Sequence, residues 1–422
     1  MNILYLTISD LSDLNKRGIY TDLIGEFVKH GHTVSIVTPA ERRKQESTRL
    51  VKHERHQVLQ VRTGNLFRTN LLEKGISNLL IEWQYKKAIK QYFNGIKFDL
   101  VLYASPPITF AKVIEFIKNR DGAASYLMLK DIFPQNALDI GLLKKSGIKG
   151  LVYRFFRRKE KKFYSVSDYI GCMSQGNVRY LLKHNSEIAP ERVDVCPNSV
   201  TPVEKLNVNR EDICKKYGIP KDRILFIYGG NFGLPQGVDF IIQALRRCRD
   251  KKEVHFILCG SGTEFHKLKT FLDNEHPGNV TLIEKLPKNE YDRLAACCDV
   301  GLIFLDHRFT IPNFPSRLLS YMESGMPVLA ATDPNTDIGE VITSGGFGCW
   351  CESNDVEGIS KLVDSICASK DRISTMGRAA REYLEAHYTS EISYRVIMEK
   401  LGNSVKVGKV NSVRTEGVLH PE

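Results

Sequence analysis

The sequence predicts an α/β protein of two domains, each a parallel sheet with helices on both faces. Three observations predict it. Short β-branched runs alternate with longer amphipathic segments almost throughout, the pattern of parallel strands joined by helical crossovers. The alternation breaks once, at 197–205, where a charged stretch leads to Tyr217-Gly218-Ile219-Pro220 before a new strand begins. And 422 residues with 42% hydrophobic side chains exceed one compact core but supply two of about 200 residues each.

The strands predicted before the break are 3–7, 33–38, 100–104, 125–129, 169–173 and 193–196. After it come 224–228, 255–259, 280–283, 300–304 and 328–331. Helical periodicity runs over 19–29, 78–93, 238–248 and 290–297. The limits are then a first domain over 1–200, a second over 201–375, and C-terminal helices over 376–402 packing back on the first domain. A tail over 403–422 lacks apolar period and is expected to be mobile. In sheets of this kind ligands lie beyond the carboxyl ends of the strands, so the cleft between two facing domains is the expected site.

Composition narrows the class. Met1 to Leu6 read as a strand and not as a signal peptide, and no stretch approaches the roughly 18 apolar residues of a spanning helix. A cytoplasmic protein is expected. The ten cysteines include no C-x-x-C pair, so a zinc site is disfavoured and buried thiols in a reducing compartment are expected. Net charge is +11, which fits nucleic acid, anionic lipid or phosphorylated substrates alike. Nucleic acid is disfavoured, because the interleaved aromatics and modules of such proteins are missing.

Two segments carry the chemistry of the second domain. In the first, 225–239, an apolar strand enters the turn Gly229-Gly230-Asn231-Phe232-Gly233-Leu234-Pro235-Gln236-Gly237 and a helix follows. Glycines allow a close ligand approach and a helix start offers free N–H groups to phosphate. The Gly-Lys-Ser/Thr of a P-loop is absent, so an ordinary tight turn also fits. In the second, 309–330, Ser316 is placed as an N-cap, Arg317 stands in the first turn, and Gly325 stops the helix. A cation in a first turn opposes the helix dipole. Arg317 either faces a diphosphate, which suits its forked donors, or is a solvated surface residue.

Taken together the motifs resemble the family 4 retaining glycosyltransferases of the GT-B fold, in the branch of bacterial O-antigen and capsule assembly. Gly18-Ile19-Tyr20, Leu23, Phe27 and Gly31-His32-Thr33-Val34 are similar to that family's first glycine loop, helix and second strand. The stretch from Asp168-Tyr169-Ile170 to Ser174, then Pro197-Asn198-Ser199-Val200, resembles the end of its first domain. The glycine turn and the unit over 315–330 match its donor site. The resemblance covers nearly the whole chain. It implies two Rossmann-like domains, a nucleotide-sugar donor with UDP as the family-weighted base, retention of configuration, and no cofactor.

It also implies roles. Donor binding falls to Gly18, Gly230, Asn231, Gln236, Leu286, Asn313, Phe314, Ser316, Arg317 and Ser320. Departures are visible. Asn231 and Gln236 stand where many members carry Arg and Lys, and Pro312 and Ser320 where many carry two glutamates. Leu286 lies in the segment 282–287, where the family packs the nucleobase; a strand end and helix cap is the competing reading. In the first domain Lys130 and Asp131 end a strand, as a site or as a strand-ending ion pair. By resemblance Asp131 orients or deprotonates the acceptor hydroxyl, and Lys130 stabilises negative charge. No Asp-x-Asp triplet occurs, so no metal is expected.

The segment 149–164 bears Arg154, Arg157, Arg158 and Lys161 among seven basic residues against the single acid Glu160. Val152, Phe155, Phe156 and Phe163 recur in it at helical spacing. Leu79, Leu80, Trp83, Lys86, Lys87 and Lys90 repeat the theme. Such helices either lie on anionic lipid or pack on the sheet with the basic face in water. The leading expectation is a glycosyltransferase that extends a polyprenyl-diphosphate-linked glycan, peripheral on the inner face of the plasma membrane. The alternatives are a sugar-nucleotide 2-epimerase of the same fold and an inactive sugar-nucleotide-binding relative.

Overall fold

The computed structural model describes residues 1–67 and 69–413. It divides into two compact units.

The first unit holds Met1–Pro134, Gly150–Thr201 and the described chain over Ser390–Val413. Its eight strands are β1 (Asn2–Leu6), β2 (Thr33–Glu41), β3 (Arg49–Lys52), β4 (His56–Thr63), β5 (Leu100–Ser105), β6 (Ala124–Leu129), β7 (Tyr169–Cys172) and β8 (Val193–Val195), in the spatial order β3-β4-β2-β1-β5-β6-β7-β8. All pairings are parallel except β3 with β4. Buried on both faces, the central strands read as the continuous apolar runs seen in the sequence.

The helix Ile19–Lys29 and the last helix Ser390–Val413 cover one face of this sheet. Phe27 and Ile397 share its core with Ile3, Tyr5, Val34 and Leu102. The return of the C-terminus is fixed locally: Ser390 N–H donates to the Val200 carbonyl at 2.9 Å, and Tyr394 stacks on His30 at 4.0 Å.

The second unit holds Gln135–Lys149 and Pro202–Thr389. Its wholly parallel sheet runs β11-β10-β9-β12-β13-β14, with β9 (Ile224–Asn231), β10 (Val254–Ser261), β11 (Val280–Glu284), β12 (Val300–Phe304), β13 (Val328–Thr332) and β14 (Gly348–Glu352). Phe226, Tyr228, Phe304 and Leu302 meet Ile241 and Leu245 of the helix Val238–Arg247 in its core.

These limits differ from the sequence reading in three places. Gln135–Lys149 leaves the first unit, because the Asp139 carboxylate accepts the Thr310 amide at 2.8 Å and its hydroxyl at 2.9 Å. The helix Lys370–His387 stays with the second unit, seated where Gly377 meets the Gly325 carbonyl; a Cβ there would lie 2.2 Å from that oxygen. The last helix continues to Val413, past the point where the tail was expected to begin, and residues 414–422 lie outside the described residues.

Candidate active site

The carboxyl end of β9 builds the centre of the second unit's site. Gly230 has φ 139°, a conformation unfavourable for any residue with a Cβ. The space beside the two glycines is filled. A Cβ on Gly229 would fall 2.0 Å from the Tyr291 hydroxyl, and one on Gly230 would fall 2.0 Å from Nη2 of Arg317. Glycine at both positions is thus what seats these two side chains on the strand end.

Arg317 opens the helix Arg317–Glu323, whose Tyr321 hydroxyl lies 3.1 Å from the carbonyls of both Ile227 and Leu302 and pins the helix beneath the sheet. The guanidinium carbon sits 4.2 Å from the centre of the Tyr228 ring, a cation–π contact. Burial works against its charge, but the phenols of Tyr228, Tyr321 and Tyr291 raise its pKa. Among the described residues it has no carboxylate partner. Arg317, Tyr291, Gly229, Gln236, Ser316 and Ser320 all border one pocket of about 300 Å³.

Other residues singled out in the sequence stand differently. Asn231 Nδ2 donates to Gln236 Oε1 at 2.9 Å, and Gly233 N–H donates to the same oxygen at 3.1 Å. The pair braces its own turn, and Gln236 alone reaches the pocket. Ser316 is not a side-chain cap. Its backbone is already helical (φ −62°, ψ −15°) and no capping hydrogen bond forms, since capping needs an extended residue. Its hydroxyl is exposed at the pocket instead. Gly325 does end the helix, at φ 62°.

Phe314 turns to Tyr388, with ring centres 6.2 Å apart. Asn313 gives its carbonyl to the Thr336 hydroxyl at 2.5 Å, and its Nδ2 is buried without a partner. Leu286 follows β11, the edge strand, separated from β9 by β10. None of these three borders the Arg317 pocket. Tyr228 and Tyr291 were missed in the sequence, since a tyrosine at helical or strand spacing reads as core and only the facing glycines betray its place.

In the first unit Lys130 and Asp131 follow directly on β6. Ser105, the last residue of β5, stitches them down. Its Oγ accepts the Lys130 amide at 3.0 Å and the Asp131 amide at 3.3 Å, and donates to the Asp131 carbonyl at 3.0 Å. Burial lowers the Lys130 pKa to about 8, with Cys196 pulling slightly the other way. Ser105 carried no signal in the sequence, because its partners come from the neighbouring strand.

Gly18 precedes the helix Ile19–Lys29 in extended conformation, with its amide on Asp22 Oδ1 at 3.1 Å. The nearest atom to a Cβ there would be Thr21 Oγ1 at 3.7 Å, so nothing in the chain itself demands glycine. Beside it, Arg17 is committed to the Thr201 carbonyl at 2.6 Å.

The helix Gly147–Val166 divides. Arg157 is structural: it pairs with Glu160 at 2.5 Å and donates to the His184 carbonyl and Asn185 Oδ1. Lys161 pairs with Glu187 at 3.1 Å. Arg154 and Arg158 are exposed, on a stretch whose Leu151, Val152 and Phe155 also face solvent, whereas Phe163 is buried. In the helix Leu71–Tyr92 the exposed stripe is Ile76, Leu79, Leu80 and Trp83, while Lys86 and Lys90 lie over Phe116.

Among the described residues one group, Glu26, His30 and Glu391, has metal-like spacing. The Lys29 ammonium already pairs with it, 2.8 Å from Glu26. Among them, too, no helix is long and apolar enough to cross a membrane.

Comparison with known proteins gives this geometry a context. Residues 20–204 match the model of Glycosyltransferase Family 4, and residues 209–383 match that of Glycosyl transferases group 1. The chain is 26% identical over 328 residues to the protein described as probable glycosyltransferase WbjE of Pseudomonas aeruginosa, covering 77% of this chain and 79% of that one. It is 22% identical over 295 residues to WcaI of Escherichia coli strain K12, named as a colanic acid biosynthesis glycosyl transferase, covering 68% and 70%. In three dimensions it resembles the sucrose-phosphate synthase of Thermosynechococcus elongatus, with TM-score 0.73 and 15% identity over 97% of this chain and 100% of that one. It also resembles HepE of Anabaena, solved with UDP, with TM-score 0.64 and 14% identity over 96% and 100%. The architecture, two units on mostly parallel sheets, is of the GT-B type. The chain thus carries a Glycosyltransferase Family 4 domain at residues 20–204 followed by a Glycosyl transferases group 1 domain at 209–383.

Proposed function

We propose that the chain transfers a sugar from a UDP-sugar onto a lipid-linked glycan in bacterial surface polysaccharide synthesis, with retention of anomeric configuration. The observation that carries this is Arg317. A guanidinium without a carboxylate partner among the described residues, stacked on Tyr228 and held over Gly230 at the carboxyl end of β9, faces a pocket where a leaving diphosphate needs charge stabilisation. Ser316, Ser320 and Gln236 add hydrogen-bonding groups around it. The name of the relative WcaI favours polysaccharide synthesis, and the HepE complexes with UDP and UDP-glucose favour uridine.

Asp131 is the proposed partner of the acceptor hydroxyl and Lys130 the group that meets developing negative charge. Arg154 and Arg158, beside exposed Leu151 and Phe155, suit an anionic membrane face at which a lipid-linked acceptor resides.

Calorimetric titration with UDP, paired with a transfer assay onto a short polyprenyl-diphosphate glycan, tests the reading. Arg317→Ala is expected to weaken UDP binding about tenfold or more, a charge-assisted contact contributing roughly 1.5–3 kcal/mol. Asp131→Asn is expected to keep UDP affinity and lower turnover about 100-fold. UDP affinity indifferent to Arg317→Ala would sink the donor assignment; undiminished turnover in Asp131→Asn would remove that residue's role.

A further inference from the structure

A second cavity of the second unit lies away from the Arg317 pocket. Its volume is about 880 Å³, and it opens at the amino-terminal edge of the sheet, where β9 begins at Ile224, Asp299 precedes β12 and Met326 precedes β13. The Arg317 pocket gathers at the opposite ends of the same strands, around Gly229 and Leu305.

One wall is a single face of the helix Lys370–His387. Lys370, Ser374, Gly377, Arg378 and Arg381 recur along it at the spacing that brings side chains to one side. The wall is fixed in place, because Gly377 rests against the Gly325 carbonyl.

Seven basic and four acidic side chains line the cavity. Part of this charge is spent on the fold. Arg210 forks onto Asp299 at 2.9 and 3.0 Å, and Arg381 donates to the carbonyls of Val203 and Glu323. Lys205, Lys370 and Arg378 differ. They are exposed at the cavity and have no carboxylate partner among the described residues, Arg378 reaching only the Thr375 hydroxyl at 3.2 Å. Cations left facing a concave wall raise its potential and favour an anion there.

We propose that this cavity is a second ligand site, separate from the donor pocket, that binds a small phosphorylated anion. Arg378 supplies forked donors to the phosphate oxygens, Lys370 a point charge, and Ser374 a hydroxyl from the same helix face. Lys205 approaches from the segment that precedes the second sheet. Ile224, Met326 and Ile373 offer an apolar floor for whatever the phosphate is attached to.

The test is calorimetric titration of the full chain with inorganic pyrophosphate, and in parallel with glucose 1-phosphate and inorganic phosphate. It is run in an Arg317→Ala background that weakens the donor pocket. Pyrophosphate is expected to bind this variant at one site. Adding Lys370→Ala and Arg378→Ala should weaken that binding at least tenfold, while the same two changes in the natural sequence leave UDP affinity alone. Tighter binding of glucose 1-phosphate than of inorganic phosphate identifies an organic phosphate as the ligand class, and the reverse identifies the free ion. Ser374→Glu, an exposed change that introduces an acid into the cavity, should abolish binding without altering the melting temperature. No pyrophosphate binding in Arg317→Ala, or binding that survives both the double change and Ser374→Glu, overturns the proposal. Loss of UDP binding by the natural chain would instead count against the donor site.

Discussion

Lys130 shows how one residue's environment sets a testable chemistry. Burial at the end of β6 lowers its pKa to about 8 from an ordinary 10.5. Its charged form is therefore lost as pH rises through 8, and turnover that needs the ammonium falls over the same range. Lys130→Arg keeps its charge far above that range, so the falling limb of the pH–rate profile should move upward by at least one unit. An unmoved limb would assign it to another group. Asp333 is the converse. Fully buried at the end of β13, with Oδ2 unpartnered and Oδ1 accepting the amides of Asn335 and Thr336, its pKa is raised by burial to about 6. A raised carboxylate pKa stabilises the fold below the unfolded value of 3.8, and that contribution is lost as pH rises through 6. Asp333→Asn retains an acceptor for both amides without the buried charge. It should stabilise the protein by about 1–3 kcal/mol at pH 8 and by little at pH 4, as read from denaturant midpoints at the two pH values.

Elements turn such residues into a site, and the glycine turn after β9 is the element with least freedom. A methyl group on Gly230 would have to displace the Arg317 guanidinium from 2.0 Å, and the φ of 139° is itself strained for alanine. Gly230→Ala is expected to cost about 1–3 kcal/mol from the backbone and to weaken UDP binding as much as Arg317→Ala does. Stability loss with intact UDP affinity would separate the turn from the site. This element also marks what the sequence made legible. The strand, the glycines and the helix with Arg317 were visible as β-branched run, turn signal and apolar period. Their meeting was visible only through the family resemblance. The tyrosines that hold Arg317 were not, because Tyr228 and Tyr291 act through facing residues 63 positions apart within one site. Strand identity followed the same logic. All eleven predicted strands exist, most of them buried apolar runs, whereas β3, β4 and β14 were passed over. β3 and β14 are short edges, one carrying Arg49 and Lys52 and the other opening on glycine. β4 mixes buried Gln60 with Val58 and Leu59, so its polar letters hid a buried strand.

At the scale of the whole molecule, chain order and unit membership diverge, and that divergence has an energetic consequence. The first unit's core is completed by the last helix, about 190 residues downstream of Thr201. Ile397 is fully buried and Leu401 nearly so, both within the cluster that holds Phe27, Ile3 and Val34. Burying two such side chains contributes about 3–6 kcal/mol, a large part of the 5–15 kcal/mol that typically holds a domain folded. Further contacts go with them, the His30–Tyr394 stack and the Lys400 bond to the Glu191 carbonyl at 2.9 Å. A chain ending at Thr389 should therefore lose amide protection in β1, β2 and β5 while β9, β10 and β12 keep theirs, measured by native-state hydrogen exchange. Ile397→Ala, which leaves the helix in place, should give the same pattern at about 2–5 kcal/mol. Equal loss of protection in both sheets would mean that the two units unfold as one cooperative body; loss in neither would mean that the helix is only an appendage to a core already complete at Thr201.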